Sequence, residues 1–320
     1  MSTSTLTIDR RNTGLLAKAA DYIELTKPRI AVLTLVIVAI VSYVASWGSP
    51  HLLTTLHALF GTLMIASSAS ALNHFLERRS DLLMDRTANR PLPAGRLSNV
   101  EVLLFATATV TIGVLYLGLL VNWLTAVWGI STWVVYVWIY TPLKSRTTLN
   151  TLVGAIAGAL PVLIGWSASG GSLDVWTDPR GVALFLVLFL WQFPHFMAIA
   201  WIYRKQYARA GLKMLTVVDP SGLRAGVQAV LAALGLLLVS FVPASKVFMI
   251  GGLGASIYLV AAFTLGVGYL LCSIWFCVRR DESSARLLLR TSLVYLPSLF
   301  AFLIFTTLVQ ALGKNNRYIA

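Results

Sequence analysis

Charge is what this chain has least of. Only 12% of its 320 residues are Asp, Glu, Lys or Arg, where an ordinary soluble domain carries about a quarter. With 58% hydrophobic residues and a mean hydropathy of +0.79, that deficit excludes a water-exposed globular surface. Cysteine is almost absent. Cys272 and Cys277 lie in one apolar run, give no disulfide framework and no metal-ligand spacing, and are expected as buried, inert thiols. The four histidines, His51, His57, His74 and His195, form no ligand cluster in sequence. Met1–Ala20 lacks an apolar core, which excludes a signal peptide; it reads as a disordered cytoplasmic tail, with organelle targeting as the minor alternative. No polar segment is long enough to hold a soluble domain of its own.

What the chain does have is nine apolar runs, near 30–47, 54–75, 100–119, 122–140, 150–168, 182–203, 225–243, 250–278 and 287–312. A helix needs about 20 such residues to cross a hydrocarbon core of about 30 Å. The runs are continuous rather than alternating, which selects helices over a barrel. The expected fold is an all-α integral membrane protein, nine transmembrane helices around a central cavity. Polar, basic segments follow the second and the sixth runs, four spans apart. That is the pattern of two pseudo-repeated four-helix halves plus one helix, and sites often lie at such repeat interfaces. The expected divisions are a cytoplasmic N-terminal tail and interfacial segment over 1–28, one nine-helix domain over 29–313, and a short C-terminal tail over 314–320.

The net charge of +13 suggests nucleic acid only until its distribution is read. With nine spans, 21 of the 25 Lys and Arg fall on one side, and Arg180, Lys246, Lys314 and Arg317 on the other. That positive-inside asymmetry puts the N-terminus in the cytoplasm and the C-terminus outside. Membrane lipid is then the expected surrounding, no nucleic acid is expected as a partner, and a bacterial inner membrane is the expected location.

The chemistry is marked where the second run ends. Asn73, Glu77, Asp81 and Asp85 recur every four residues. At about 100° per residue each step drifts about 40°, so the four form one slanting stripe of oxygen ligands. Such a stripe suits a hard cation shared with phosphates, Mg²⁺ on a diphosphate above all. The arginines between Arg78 and Arg96 suit the remaining anionic oxygens. A plain positive-inside loop explains arginines but not carboxylates in register. The loop holding Lys144 and Arg146 reads either as a routine basic loop or as a diphosphate clamp. Gln192 and His195 lie inside the sixth run, where polar groups are expensive and face protein. His195 reads as hydrogen-bonded structure or as a ligand, and spacing leaves both open.

Taken together, Asn73-x-x-x-Glu77-Arg78-x-x-Asp81, Arg86-Thr87 and Arg90-Pro91-Leu92-Pro93-x-Gly95 resemble the first motif of the UbiA-type intramembrane prenyltransferases, in the version of the haem-farnesylating subgroup. Leu25-Thr26-Lys27-Pro28-Arg29, Tyr140-Thr141-Pro142-Leu143-Lys144-x-Arg146, Trp191-Gln192-x-Pro194-His195-Phe196, Tyr207-x-x-Ala210-Gly211 and Ser292-Leu293-x-Tyr295-Leu296-Pro297 resemble the same subgroup. The resemblance runs in order from about residue 22 to residue 300.

The resemblance implies farnesyl transfer from farnesyl diphosphate to a vinyl group of haem B, giving haem O, with Mg²⁺ as cofactor. It implies Asn73, Glu77 and Asp81, extended by Asp85, on the metal. It implies Arg29, Arg86, Arg90, Lys144, Arg146 and Lys205 on the diphosphate, and Trp191, Gln192, His195 and Tyr207 at the haem or the cavity wall. A haem A synthase or a terminal oxidase would be the assembly partner. One departure stands out: Gln206 occupies the place before Tyr207 where the family carries an acid, which removes a carboxylate from a second metal, and Asp219 is the nearby candidate to replace it. Two rivals stay open on the residues alone. One is a UbiA-type enzyme for another aromatic or quinone-precursor acceptor; the other is a non-catalytic haem- or ion-binding membrane protein.

Overall fold

The computed structural model describes residues 14–172, 178–244 and 253–317, and those residues form helices and turns without a strand. Residues 1–13 of the expected tail, Lys246, residues 250–252 of the eighth run and the final residues 318–320 lie outside the described residues, as do the side chains of Lys314 and Arg317.

Helix α1 (Leu15–Leu25) precedes α2 (Pro28–Ala45). Pro28 suits the first turn of α2, where its missing N–H costs nothing. The His51 side chain accepts from Thr54 N and starts α3 (Leu52–Asp81). A Ser98–Glu101 capping box starts α4 (Asn99–Leu120). The expected break near Asn122 is a cap: its Oδ1 accepts from Thr125 N and starts α5 (Trp123–Val134). That rod continues through a π turn, Val135–Tyr140, into the short α6 (Thr141–Leu143). Next come α7 (Asn150–Ala168), α8 (Arg180–Ile202), and the short α9 (Arg204–Arg209) and α10 (Leu215–Val218). The chain closes with α11 (Leu223–Val239), α12 (Leu253–Arg279) and α13 (Glu282–Arg317).

Among the described residues eight helices are long and apolar enough to cross a membrane. The seventh expected span, 225–243, is instead the shorter apolar α11 of 17 residues, so length does not establish the count of nine. The protein is a multi-pass membrane protein. Its helices pack in chain order, α3 on α4, α4 on α5, α5 on α7, α7 on α8, α8 on α11, α11 on α12 and α12 on α13, while α2 closes on α7. Helix α7 is the most buried of the long helices, and small residues let its neighbours approach. A Cβ on Gly165 would stand 2.5 Å from Val38 O, so only hydrogen fits between α7 and α2 there. Cys272 and Cys277 are free and half-buried.

Candidate active site

Helix α3 presents Asn73, Glu77 and Asp81 on successive turns to a cavity of about 260 Å³ at the level where its apolar part ends. The helix stops at Asp81. Thr87 Oγ1 donates to Asp81 O at 2.9 Å and folds the chain back, so Arg86, Thr87 and Arg90 also face the cavity. Asp85 therefore falls outside the helical period. It is exposed and paired with Arg209 at 3.0 Å, which corrects the stripe facing the cavity from four oxygen-bearing side chains to three.

Each of the three meets a cation. Lys27 Nζ donates to Asn73 Oδ1. Lys144 Nζ lies 2.7 Å from Glu77 Oε1, and Arg90 Nη1 donates to Asp81 Oδ2 at 2.7 Å. Asp81 Oδ1 is buried and has no hydrogen-bond partner. Burial pulls the Lys27 ammonium down to about 7, helped by the charge of Arg90. Burial also opposes the charge on Lys144, yet the Glu77 carboxylate outweighs it and the net direction is upward. Two neighbouring cations with opposite shifts mark where negative charge is supplied and where it is short.

The local fold explains the placements. The π turn carries Tyr136 and Tyr140 to the cavity wall; such turns are frequent at functional sites. Thr141 Oγ1 donates back to Tyr136 O at 2.8 Å and accepts from Asn73 Nδ2 at 3.1 Å. The Lys144 carbonyl accepts from Lys213 N at 2.7 Å, tying this loop to the chain after α9. Tyr207 on α9 is buried against the cavity, and burial pushes its phenol up.

Three expected diphosphate ligands are not brought in. Arg29, Arg146 and Lys205 are exposed and do not line the cavity. Ile30 borders the cavity while remaining largely exposed, and Arg29, about 100° earlier on α2, faces away from it; on α9 the cavity-lining Tyr207 leaves Lys205 outside. Arg146 lies two residues past the inward Lys144, on the outer side of the loop. Arg86 lines the cavity with its guanidinium over the Tyr203 ring. Gln206 and Asp219 do not line it, and Asp219 is bound to Ser221 and Arg224 N instead. Asp219 is thus no replacement for the missing acid. Among the described residues no three Asp, Glu, His or Cys side chains converge.

Trp191, Gln192 and His195 lie on α8 but do not line this cavity. Trp191 Nε1 donates to Ser292 O at 2.9 Å, and Gln192 Nε2 donates to Ala155 O and Leu188 O. His195 stacks on Trp191, with Nδ1 at 2.8 Å from Ser292 Oγ. That hydroxyl donates to Leu289 O at 2.6 Å, so it accepts from His195 Nδ1–H and leaves Nε2 with a free lone pair. Lys27, Tyr136 and Tyr140 line the cavity without having been among the expected site residues, and Lys27 reaches furthest into the stripe through Asn73. Its signal was its place in the Leu25–Arg29 motif, directly before the proline that starts α2.

A profile described as the UbiA prenyltransferase family matches residues 34–303. The chain is 42% identical to the protoheme IX farnesyltransferase of Solibacter usitatus over 295 residues, 89% of this chain and 97% of that one. It is also 42% identical to the protein of that name from Rhodopirellula baltica over 281 residues, 86% and 96% of the two chains. Among solved structures, one described for digeranylgeranylglyceryl phosphate synthase aligns with a TM-score of 0.73 at 16% identity, covering 91% of this chain and 99% of that one. A UbiA homologue from Archaeoglobus fulgidus bound to DMAPP and Mg²⁺ aligns at 0.64 and 16%, covering 88% and 99%.

Proposed function

Since the chain belongs to the UbiA prenyltransferase family, we propose that it transfers the farnesyl group of farnesyl diphosphate to a vinyl carbon of haem B, giving haem O. Relatives named protoheme IX farnesyltransferase, matched over nearly their full length, support haem rather than a quinone precursor as acceptor. The observation that carries the reading is the set Asn73, Glu77 and Asp81 facing one cavity with Lys144, Arg90 and Arg86 around it.

Mg²⁺ fits that donor set. Asn73 Oδ1, Glu77 and the unpartnered Asp81 Oδ1 would hold it, leaving other positions to water and diphosphate as this ion prefers. Bound there, it supplies positive charge to the leaving diphosphate. Lys144, Arg90 and Arg86 supply fixed positive charge to the same oxygens as the allylic C–O bond breaks and its electron pair leaves with the diphosphate. Ile30, Phe196 and Ile199 form an apolar wall that keeps water from the allylic cation. The vinyl π pair then forms the new C–C bond. Water adds to the resulting cation beside the porphyrin and loses a proton, leaving the hydroxyl of haem O. His195 serves the porphyrin, its free Nε2 suited to the haem iron, while Trp191 and Gln192 hold α8 in place.

In this reading residues 29–313 form one nine-span unit in a bacterial inner membrane, with the N-terminus cytoplasmic and the C-terminus outside. A haem A synthase or terminal oxidase receives the product. Purified protein incubated with haem B, farnesyl diphosphate and Mg²⁺ in ¹⁸O-water tests it by porphyrin mass spectrometry. A farnesyl group plus one labelled hydroxyl supports the assignment; unchanged haem B, with a quinone precursor prenylated instead, overturns it.

A further inference from the structure

We propose that Lys27 is a positioning residue that occupies Asn73 Oδ1 as a stand-in cation and releases it to the metal only when diphosphate arrives. The site then takes metal and diphosphate together rather than one after the other. This rests on the functional reading above.

The amide of Asn73 cannot turn away from Lys27. Its Nδ2 donates to Thr141 Oγ1, whose own proton is committed to Tyr136 O, so Thr141 can only accept and Asn73 Oδ1 must face Lys27. A divalent ion and an ammonium cannot share that oxygen, because the two cations would repel at contact distance. Lys27 is also the odd member of the three cations around the stripe. Lys144 and Arg90 hold carboxylates, whereas Lys27 is hydrogen-bonded to a neutral amide. It is the one most easily drawn to a newly arrived anion. Its backbone is left-handed, with φ 51° and ψ 65°, an unfavourable conformation for a residue with a Cβ. That conformation lies in the break between α1 and α2 and delivers the side chain to the cavity, while Pro28 and Arg29 stay exposed.

The consequence is a coupling between two ligands, and coupling is reciprocal. Mn²⁺ binding to the purified full-length protein in lipid nanodiscs, followed by electron paramagnetic resonance, reads it. The second probe is farnesyl S-thiolodiphosphate, an analogue that resists ionisation. For the wild type the analogue is expected to tighten Mn²⁺ by about tenfold or more, within the usual range for such coupling. Lys27→Met is expected to bind Mn²⁺ alone more tightly than wild type, to bind the analogue less tightly, and to lose a measurable part of the coupling, the remainder coming from diphosphate bound to the metal. Lys27→Gln keeps a donor for Asn73 without the charge and is expected to behave alike; Lys27→Arg is expected to retain coupling.

A wild type whose Mn²⁺ affinity ignores the analogue overturns the proposal whatever the variants do. So does wild-type coupling in Lys27→Gln or Lys27→Met. If the analogue binds and haem is farnesylated while coupling is absent, only this proposal falls. If neither analogue binding nor farnesylation is found, the functional reading falls with it.

Discussion

The Glu77 carboxylate and the Lys144 ammonium stand 2.7 Å apart, each no more than 14% exposed, one on the last turns of α3 and the other just past α6. Removing one partner leaves the other buried and uncompensated, which costs about 3–5 kcal/mol. Lys144→Met is therefore expected to lower the melting temperature sharply and to raise KM for farnesyl diphosphate. The double variant Lys144→Met with Glu77→Gln should regain most of the stability but not the turnover. Thermal unfolding in detergent and steady-state kinetics on the same preparations separate the two effects.

Asp81 and Asp85 share a sequence period but not a site. Asp81→Asn keeps the shape and removes the charge next to Arg90, and should cut haem O formation by more than about 100-fold, as removal of one preorganised electrostatic group does. Asp85→Asn breaks only an exposed pair with Arg209, so its activity should stay within about twofold. Equal losses in the two variants would remove the distinction drawn from the end of α3.

The Ser292 hydroxyl fixes the ring of His195. His195→Ala should weaken haem B binding, read by Soret titration, and leave binding of the farnesyl analogue unchanged. Ser292→Ala should give a smaller loss of about tenfold, as removal of an orienting partner does. Unchanged haem affinity in both variants would return His195 to a purely structural role.

Gly158 lies where a Cβ would come within 2.1 Å of Gln192 Oε1. Gly158→Ala is expected to cost about 1–3 kcal/mol by overpacking and to displace Gln192 from Ala155 O and Leu188 O. Thermal unfolding measures the cost.

Most of the scaffold was legible because lipid demands long apolar helices, and caps such as Asn122 sit where polarity interrupts them. The second apolar run ends near residue 75, and the four-residue stripe carried the expected helix on to Asp85. Helix α3 runs on to Asp81 because Lys144 and Arg90, distant in sequence, neutralise its last turns. Asp85 kept the period while losing the helix, since the closure of Thr87 onto Asp81 O has no periodic signature. Nothing in Val135–Tyr140 announces a π turn, so the inward aim of Tyr136 and Tyr140 was hidden. Lys27 stood in the Leu25–Arg29 motif without a site role, and its left-handed backbone is a tertiary outcome. Arg29, Arg146 and Lys205 had the right chemistry on the wrong side of their helices and loops.

The most direct test follows the porphyrin by mass spectrometry in single-turnover reactions of the wild type and the Glu77→Gln, Asp81→Asn double variant. Haem O is expected from the wild type only when Mg²⁺ is present, and none above background from a folded double variant that still binds haem. Haem O formed without any divalent metal, or formed by the double variant at near wild-type rate, would contradict it.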